Sequence, residues 1–436
     1  MPSYNKTGSI TLMVIFAIAI FSIGNWIERH QTFTLLSAFF SAAVCYILIL
    51  QQDKSRLSFT IGFLARLLLF FSLPTLSDDL YRFIWDGTLL TQGMHPFEQL
   101  PGYYLDEDVP GITLELYERL NSPNYFTIYP PLNQGIFWLS ALIGNGDLLL
   151  SANVIRIVLL GADIGAYFLL RSILEHTGKQ VSLAHWYWLN PLVILEGIGN
   201  VHFEGMVVCF LLLGIYAFHK GNRLVSAAGF GLSIGTKLLP LIYLPVLFLT
   251  GSKNRKWTIS IFAGIIAVIT FLPMLNAAFL SGMTSSLDLY FQSFEFNASL
   301  YFIVREVGFW IYGYNQIAFI GPFLSICAFL SILLVSYLGF RREWDVSKSF
   351  LFILSIYLIF ATTVHPWYIL PLVALGILSG FWYPIVWSLL IFLTYVGYTV
   401  NGFELPAFIV VIEYSLVVLT FLIEIRNRRL SVKSYE

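Results

Sequence analysis

What this chain has least of is charge. Only 11% of its 436 residues are Asp, Glu, Lys or Arg, where soluble domains carry about 25%. The deficit runs over the whole length. With 58% hydrophobic residues and a mean hydropathy of +0.77, it excludes a soluble enzyme and a disordered scaffold. What remains is an all-α polytopic integral membrane protein. A net charge of −1 provides no field for nucleic acid. Cysteine is scarce too: Cys45, Cys209 and Cys327 sit apart in apolar runs, without the spacing of a zinc site or a disulfide framework. Inverted repeats of the transporter kind, low-complexity stretches and a soluble domain are all lacking.

Long hydrophobic runs are there in quantity. A transmembrane helix needs about 20 mostly apolar residues. Candidate spans fall at 10–27, 33–51, 57–76, 131–149, 152–171, 182–199, 201–218, 223–249, 256–275, 316–340, 349–364, 367–382, 384–400 and 406–425. Several are short or hold proline, Pro240, Pro245 and Pro273 among them. The expected architecture is therefore a bundle of roughly 12 transmembrane helices forming a single membrane domain, 1–436. Lys6 before the run Ile10 to Ile23 imitates a secretory signal. Asn25-Trp26-Ile27-Glu28-Arg29 follows where a small-residue cleavage site would stand, so the run is read as a retained span.

One long polar segment stands out, Ser77 to Pro131. Its nine acids are Asp78, Asp79, Asp86, Glu98, Asp106, Glu107, Asp108, Glu115 and Glu118, against two bases, Arg82 and Arg119. The opposite bias marks Lys54/Arg56, Lys253/Arg255/Lys256, Arg341/Arg342 and Arg426/Arg428/Arg429. The positive-inside tendency puts these basic clusters in the cytoplasm and the acidic loop 77–131 outside, after three spans from a cytoplasmic N-terminus. Arg171/Lys179 and Lys220/Arg223 break that parity if every run crosses fully, so some segments are expected to be half-helices. Within the loop, Leu80, Tyr81, Ile84, Trp85 and Leu89 recur at helical spacing opposite Asp79, Arg82 and Asp86. This predicts an amphipathic interfacial helix with Tyr81 and Trp85 at headgroup depth, ended by Gly93 and Pro96.

Five polar islands could carry chemistry. Asp78 and Asp79 cannot share a direction on a helix, so one can face a cavity while its neighbour caps or pairs. Ser77-Asp78-Asp79 before an apolar run is also a helix start signal. Thr127-Ile128-Tyr129-Pro130-Pro131-Leu132 returns the chain to the membrane with proline at a first helical turn, a structural device. Asn190-Pro191 leads to Glu196, Asn200, His202 and Glu204, a polar turn between apolar runs. On one helix His202 and Glu204 would point about 200° apart, which argues against joint metal binding. Lys237 lies deep in an apolar run and needs an anionic partner or an interface to snorkel to. Gly231 and Gly235 before it have the wrong spacing for a P-loop and suit close helix approach. Thr363-Val364-His365-Pro366-Trp367-Tyr368 puts an ionisable ring at a helix break, as a structural group or as a donor to phosphate or sugar. Arg305 and Glu306 are placed to pair with each other.

Together these islands resemble the polytopic glycosyltransferases of the GT-C fold. The resemblance is greatest to the polyprenol-phosphate-mannose-dependent mannosyltransferases of bacteria and fainter to GPI mannosyltransferase I. It is carried by Ser77-Asp78-Asp79-Leu80-Tyr81-Arg82, Trp85-Asp86-Gly87, Gly93-Met94-His95-Pro96-Phe97 and Tyr129-Pro130-Pro131-Leu132. Asn190-Pro191 to His202, Lys237 to Pro240, Phe296-Asn297 and His365-Pro366-Trp367-Tyr368 continue it. The resemblance implies a loop aspartate as catalytic base, Asp79 or Asp78. The two acids are adjacent here, where related enzymes often separate them by one residue. Glu204 stands where an aspartate is expected, and two spans precede the acid-bearing third where many such enzymes have one.

The implied reaction moves a sugar, mannose by resemblance, from a polyprenyl-phosphate donor to a hydroxyl of a glycan or lipid acceptor. Its place would be the outer face of a bacterial plasma membrane, with the donor tail entering from the membrane lipids. The aspartate removes the hydroxyl proton as it attacks the anomeric carbon, inverting it. Lys237, His365, Arg82 or a divalent metal would meet the leaving phosphate. Arg82, Asp86, Tyr129, His202, Glu204, Lys237, His365, Trp367 and Tyr368 are the expected substrate-binding residues. The rival reading is a transporter or flippase for a lipid-linked or anionic solute. Buried ionisable groups and proline-broken helices fit it as well; the acidic loop of over fifty residues fits it less.

Overall fold

A computed structural model describes residues 6–52, 55–251, 253–292 and 294–433; Lys54, in one of the basic clusters, lies outside them. Helices α1 (Lys6–Asn25), α2 (Thr32–Leu50) and α3 (Ser55–Leu67) lead to the acidic segment. That segment folds as α4 (Asp79–Thr91), α5 (Pro101–Asp106) and α6 (Leu114–Glu118). After it come α7 (Pro131–Gly144), α8 (Leu148–His176), the short turns α9 (His185–Trp188) and α10 (Pro191–Ile194), and α11 (Glu204–His219). Next are α12 (Arg223–Thr236), α13 (Leu244–Leu249), α14 (Lys253–Phe271), α15 (Ala277–Gln292) and α16 (Leu300–Tyr312). The chain ends with α17 (Ile317–Arg341), α18 (Val346–Phe360), α19 (Leu370–Ser379), α20 (Tyr383–Leu390) and α21 (Ala407–Lys433).

The protein is an all-α polytopic membrane protein. Among the described residues α1, α2, α8, α14, α17 and α21 are long and apolar enough to cross a bilayer, and Pro191–Gly199 with Glu204–His219 makes a seventh if counted as one bent span. The dozen expected from hydropathy are thus not a dozen continuous helices. Other apolar runs are shorter pieces, such as Leu239–Leu249, Pro366–Ser379 and Tyr383–Gly397, which contain 3₁₀ turns and early prolines.

Two corrections to the expected spans remove the parity conflict. The run 131–149 stays with the acidic segment. Tyr129, just before α7, bonds Asp79, while Asn145 and Gly146 beyond its far end line one cavity with Pro110, Gly111 and Thr113. The run 223–249 is two arms. Phe230 and Tyr243 both pack on Phe350, at 5.7 and 4.2 Å, so the chain doubles back at Lys237, whose backbone is extended. One end of the bundle then gathers the ends of α8, α11, α19 and α21 around the start of α18. There His219 lies 3.5 Å from Asp345, Lys179 donates to the Leu378 carbonyl and Arg428 to that of Gly380. Asp79, His202 and Lys237 occupy the other end.

Helix α4 forms where periodicity puts it, but its polar stripe does not face water. Arg82 and Asp86 are buried along with Phe83, Ile84, Trp85 and Leu89, so Trp85 is a core residue and not an interfacial anchor. The reason is α7, which lies directly on α4, with Phe83 stacked on Phe137 at 4.4 Å. Deeper in the bundle, Arg66 of α3 pairs with Asp163 of α8 at 2.6 Å and lies over the Trp188 ring.

The chain breaks between α10 and α11, where the two arms meet at 112°. Leu195–Gly199 widens into a π-turn, and Val201 takes a φ of +56°. A β-branched residue there is strained by about 1–3 kcal/mol and persists only where the surroundings dictate it. Arg156 of α8 supplies that dictate, donating to the carbonyls of Ile198, Gly199 and Ser72.

The α4–α7 contact is the tightest constraint on the acidic segment. A Cβ on Gly87 would lie 2.1 Å from the Phe137 carbonyl oxygen, a backbone atom with no room to yield. Gly87→Ala is expected to destabilise the protein by about 1–3 kcal/mol. The check is the melting temperature in detergent by fluorescence-detected size exclusion; an unchanged value would show that the contact is not tight.

Candidate active site

Asp79 is the first residue of α4, and its carboxylate is bound on both oxygens. Asn121 donates to Oδ1 at 2.7 Å and the Tyr129 hydroxyl to Oδ2 at 2.8 Å. Burial and the neighbouring Asp79 charge raise Tyr129 well above its ordinary pKa, so it stays a hydrogen-bond donor. His202 brings its Nε2 to 3.7 Å from the same Oδ2. Among the described residues no Lys or Arg pairs with Asp79, and 17% of its side chain is open to solvent.

Its neighbour has a different fate. Asp78 occupies the N-cap position but makes no side-chain cap bond; the Ser77 hydroxyl accepts from the Asp79 N–H instead. The Asp78 carboxylate turns away to Arg29, on the α1–α2 loop, at 2.7 Å, and Arg29 in turn lies over the Tyr398 ring. Of the two adjacent acids, the one that reaches His202 and Tyr129 is Asp79.

The islands expected from sequence converge here. Lys237, at the end of α12, is 2.5 Å from Glu204 at the start of α11, and its ammonium faces the rings of Tyr129 and Tyr368 at 5.7 and 5.8 Å. Trp367 is sandwiched between two imidazoles, His202 at 3.7 Å and His365 at 4.3 Å. Burial pushes the His365 imidazole down to about 3. It is therefore a neutral ring and not the cation expected for a phosphate. His202, in the turn before α11, faces Asp79, while Glu204, the first residue of α11, faces Lys237. The His202 ring, Glu204 Oε2 and His365 Nδ1 are buried polar atoms with no hydrogen-bond partner in the protein. Such atoms cluster where a ligand's groups complete them.

Two expected residues have other work. Arg82 donates to Asp86 at 2.9 Å and to the carbonyls of Ser122 and Tyr125, while Gln134 donates to the other Asp86 oxygen. Both are consumed in holding residues 122–127 against α4, which keeps Asn121 and Tyr129 on Asp79. Arg305 pairs with Glu306 and also with Glu295. Among the described residues no three His, Cys, Asp or Glu side chains are grouped to hold a metal ion, so the donor set does not fit one.

The sequence reading named Glu196 only as part of a polar turn, with no role of its own, and passed over Glu413. Glu196 is fully buried and 3.1 Å from His202 Nδ1. Its position in a polar string inside an apolar run was the available signal. Glu413, on α21, accepts from Trp387 and from Asn297, fixing the loop that carries Asn297. The Asn297 carbonyl in turn accepts from Val364 beside His365. A lone glutamate in an apolar helix was the signal there.

Comparison with known proteins shows which family the chain resembles. The family model described as "Alpha-(1->6)-mannopyranosyltransferase, N-terminal domain" matches residues 10–252. Alpha-(1->6)-mannopyranosyltransferase A of Corynebacterium glutamicum is 25% identical over 201 residues, 46% of this chain and 38% of that protein. The Mycobacterium tuberculosis protein of the same name is 25% identical over 193 residues, 43% of this chain and 35% of its own length. GPI mannosyltransferase 1 of Kluyveromyces lactis is 41% identical over 83 residues, 18% of this chain and 20% of that protein. The chain thus spans little more than a third of the length of the first two relatives. No solved structure matches. Because the family match runs over more than half of its 436 residues, this chain belongs to the alpha-(1->6)-mannopyranosyltransferase family.

Proposed function

We propose that the protein transfers mannose from a polyprenyl-phosphate donor to a hydroxyl of a glycan or lipid acceptor, with Asp79 as general base. The observation that carries this is the placement of one partly open carboxylate beside buried, unpartnered polar atoms at one end of a lipid-embedded bundle. The alpha linkage in the names of the relatives fits an inverting attack on a β-linked donor. In such an attack the acceptor oxygen bonds to the anomeric carbon as its proton passes to Asp79. The bond from that carbon to the phosphate oxygen breaks on the opposite side.

The phosphate then carries the developing charge, and Lys237 is the cation that can meet it. An ammonium has three N–H donors, and Glu204 engages one. The neutral His365 and the Trp367 and Tyr368 rings form an apolar wall beside it, which excludes water and strengthens the attraction. The donor's polyprenyl tail stays in the surrounding lipid, so the bundle needs no nucleotide-binding domain. The end holding Asp79 would face outward from a bacterial plasma membrane. The acidic segment and the clustering of basic residues at the far end support that orientation.

Proteoliposomes supplied with a panel of polyprenyl-phosphate sugars test this reading. Asp79→Asn is expected to lower kcat by at least about 100-fold. Asp78→Asn loses only a part-exposed ion pair, worth about 0–1 kcal/mol, and keeps most of the activity. Wild-type protein that transfers no sugar from any donor, or Asp79→Asn that transfers at the wild-type rate, would sink it. Lys237→Gln is expected to reduce kcat by roughly 10- to 100-fold by removing the charge at the leaving phosphate. An effect on expression alone, with kcat intact in the protein that folds, would assign Lys237 a purely structural role.

A further inference from the structure

Resting on that reading of Asp79, we propose that Glu196 is a positioning residue. It orients the His202 imidazole to receive the proton that Asp79 takes from the acceptor.

The geometry places one buried ring between two carboxylates. His202 Nδ1 stands 3.1 Å from Glu196 Oε2, and Nε2 stands 3.7 Å from Asp79 Oδ2. Stacking on Trp367, with 26° between the planes, fixes the ring so that both edges keep these directions. Neither nitrogen forms a straight hydrogen bond within the protein. Contacts of this kind commonly tighten only in the reacting complex.

Glu196 is itself locked. The Tyr395 hydroxyl donates to Oε1 at 2.6 Å and Asn200 Nδ2 to Oε2 at 3.0 Å. Both donors are neutral, and among the described residues no Lys or Arg pairs with this carboxylate. A fully buried carboxylate without a cation is expensive, and a glutamine would fill the same space at lower cost. A carboxylate facing an imidazole accepts from Nδ1–H, which leaves the Nε2 lone pair facing Asp79, and it brings the negative charge that an amide lacks.

The backbone is shaped for this pairing. On a regular helix residues 196 and 202 would point about 240° apart. The π-turn at Leu195–Gly199 and the positive φ at Val201 close that angle, and the His202 N–H donates to the Glu196 carbonyl at 3.1 Å. Arg156 holds the turn by the carbonyls of Ile198 and Gly199.

In the reaction the acceptor O–H proton goes to Asp79 Oδ2 as the new bond to the anomeric carbon forms. The electron pair of the broken bond leaves with the phosphate. The proton then moves from Oδ2 to Nε2, giving an imidazolium whose charge Glu196 balances; as the products leave, the ring releases the proton to water at the open edge of Asp79, and both groups are restored for the next acceptor.

Glu196→Leu, in the full-length protein in proteoliposomes, is the decisive variant. Its side chain offers Nδ1 no acceptor, so the proton moves to Nε2, where Asp79 accepts it, and the tautomer reverses. Roughly a 10- to 100-fold loss of kcat, with donor KM unchanged within about twofold, is expected. Solid-state nitrogen NMR of histidine-labelled protein, with His202→Gln as the assignment control, should show an Nδ1-protonated ring in the wild type and an Nε2-protonated one in Glu196→Leu. Tyr395→Phe, which keeps the carboxylate, should retain the wild-type tautomer and most of kcat. Wild-type kcat in Glu196→Leu overturns the proposal. So does a loss of kcat with an unchanged tautomer, which would mark a structural glutamate. If the wild type transfers no sugar while the tautomer still switches, the glycosyltransferase reading falls and the proton-transfer role falls with it. Only the orientation of the ring would then stand.

Discussion

The Arg156 guanidinium is the joint on which the rest of this structure depends. A charged centre inside an apolar bundle requires broken helices, and each break frees carbonyls that the surrounding lipid cannot satisfy. Arg156, buried on α8, collects three of them: Ser72, on the approach to Asp79, and Ile198 and Gly199, on the approach to His202. One cation thus fixes the relative position of two segments more than a hundred residues apart in sequence. The Asn200 side chain repeats the link by accepting from the Leu76 N–H and donating to Glu196. Without this junction the π-turn and the strained Val201 would have nothing to hold them.

The acidic segment is fastened by a second set of interior bonds. Arg82 and Asp86 spend their charges on each other and on the 122–127 loop, so that Asn121 reaches one oxygen of Asp79 and Tyr129 the other, the one that His202 also approaches. The aromatic residues divide in the same way. Phe83, Phe137, Phe203 and Tyr129 pack into one cluster behind Asp79, and His202, Trp367 and His365 stack into one wall across from it. Preorganisation of this sort leaves little side-chain reorganisation for the reaction itself.

Much of this was legible in the sequence, for identifiable reasons. Charge is so costly in lipid that every polar island in an apolar chain announces itself, and Asp79, His202, Lys237 and His365 were found that way. What sequence could not supply was direction at short range. Asp78 and Asp79 look alike until Arg29, fifty residues away, claims one of them. Arg82 and Asp86 looked like site residues because a polar stripe on a helix predicts an exposed face, and only the packing of α7 shows that the stripe is buried. The reversal at Lys237 was hidden because hydropathy does not distinguish one long run from two short arms with a proline between them. Those two errors of topology, at 131–149 and 223–249, together accounted for the basic residues that seemed to fall on the wrong side.

The distribution of charge at the site carries the last step. Asp78 is matched by Arg29 and Glu204 by Lys237, yet Asp79 and Glu196 have no cation of their own among the described residues. The centre therefore holds more negative than positive charge in a low-dielectric setting, where such an excess is felt strongly. The same arrangement disfavours keeping the leaving phosphate. On the proposed reaction the lipid phosphate pairs with Lys237 only in competition with Glu204, which is already in contact and cannot diffuse away. A cation shared in this way stabilises charge as it develops and yields it once the reaction is over. Pairing Lys237 with a buried glutamate, instead of leaving it free, thus favours turnover over tight binding of the product.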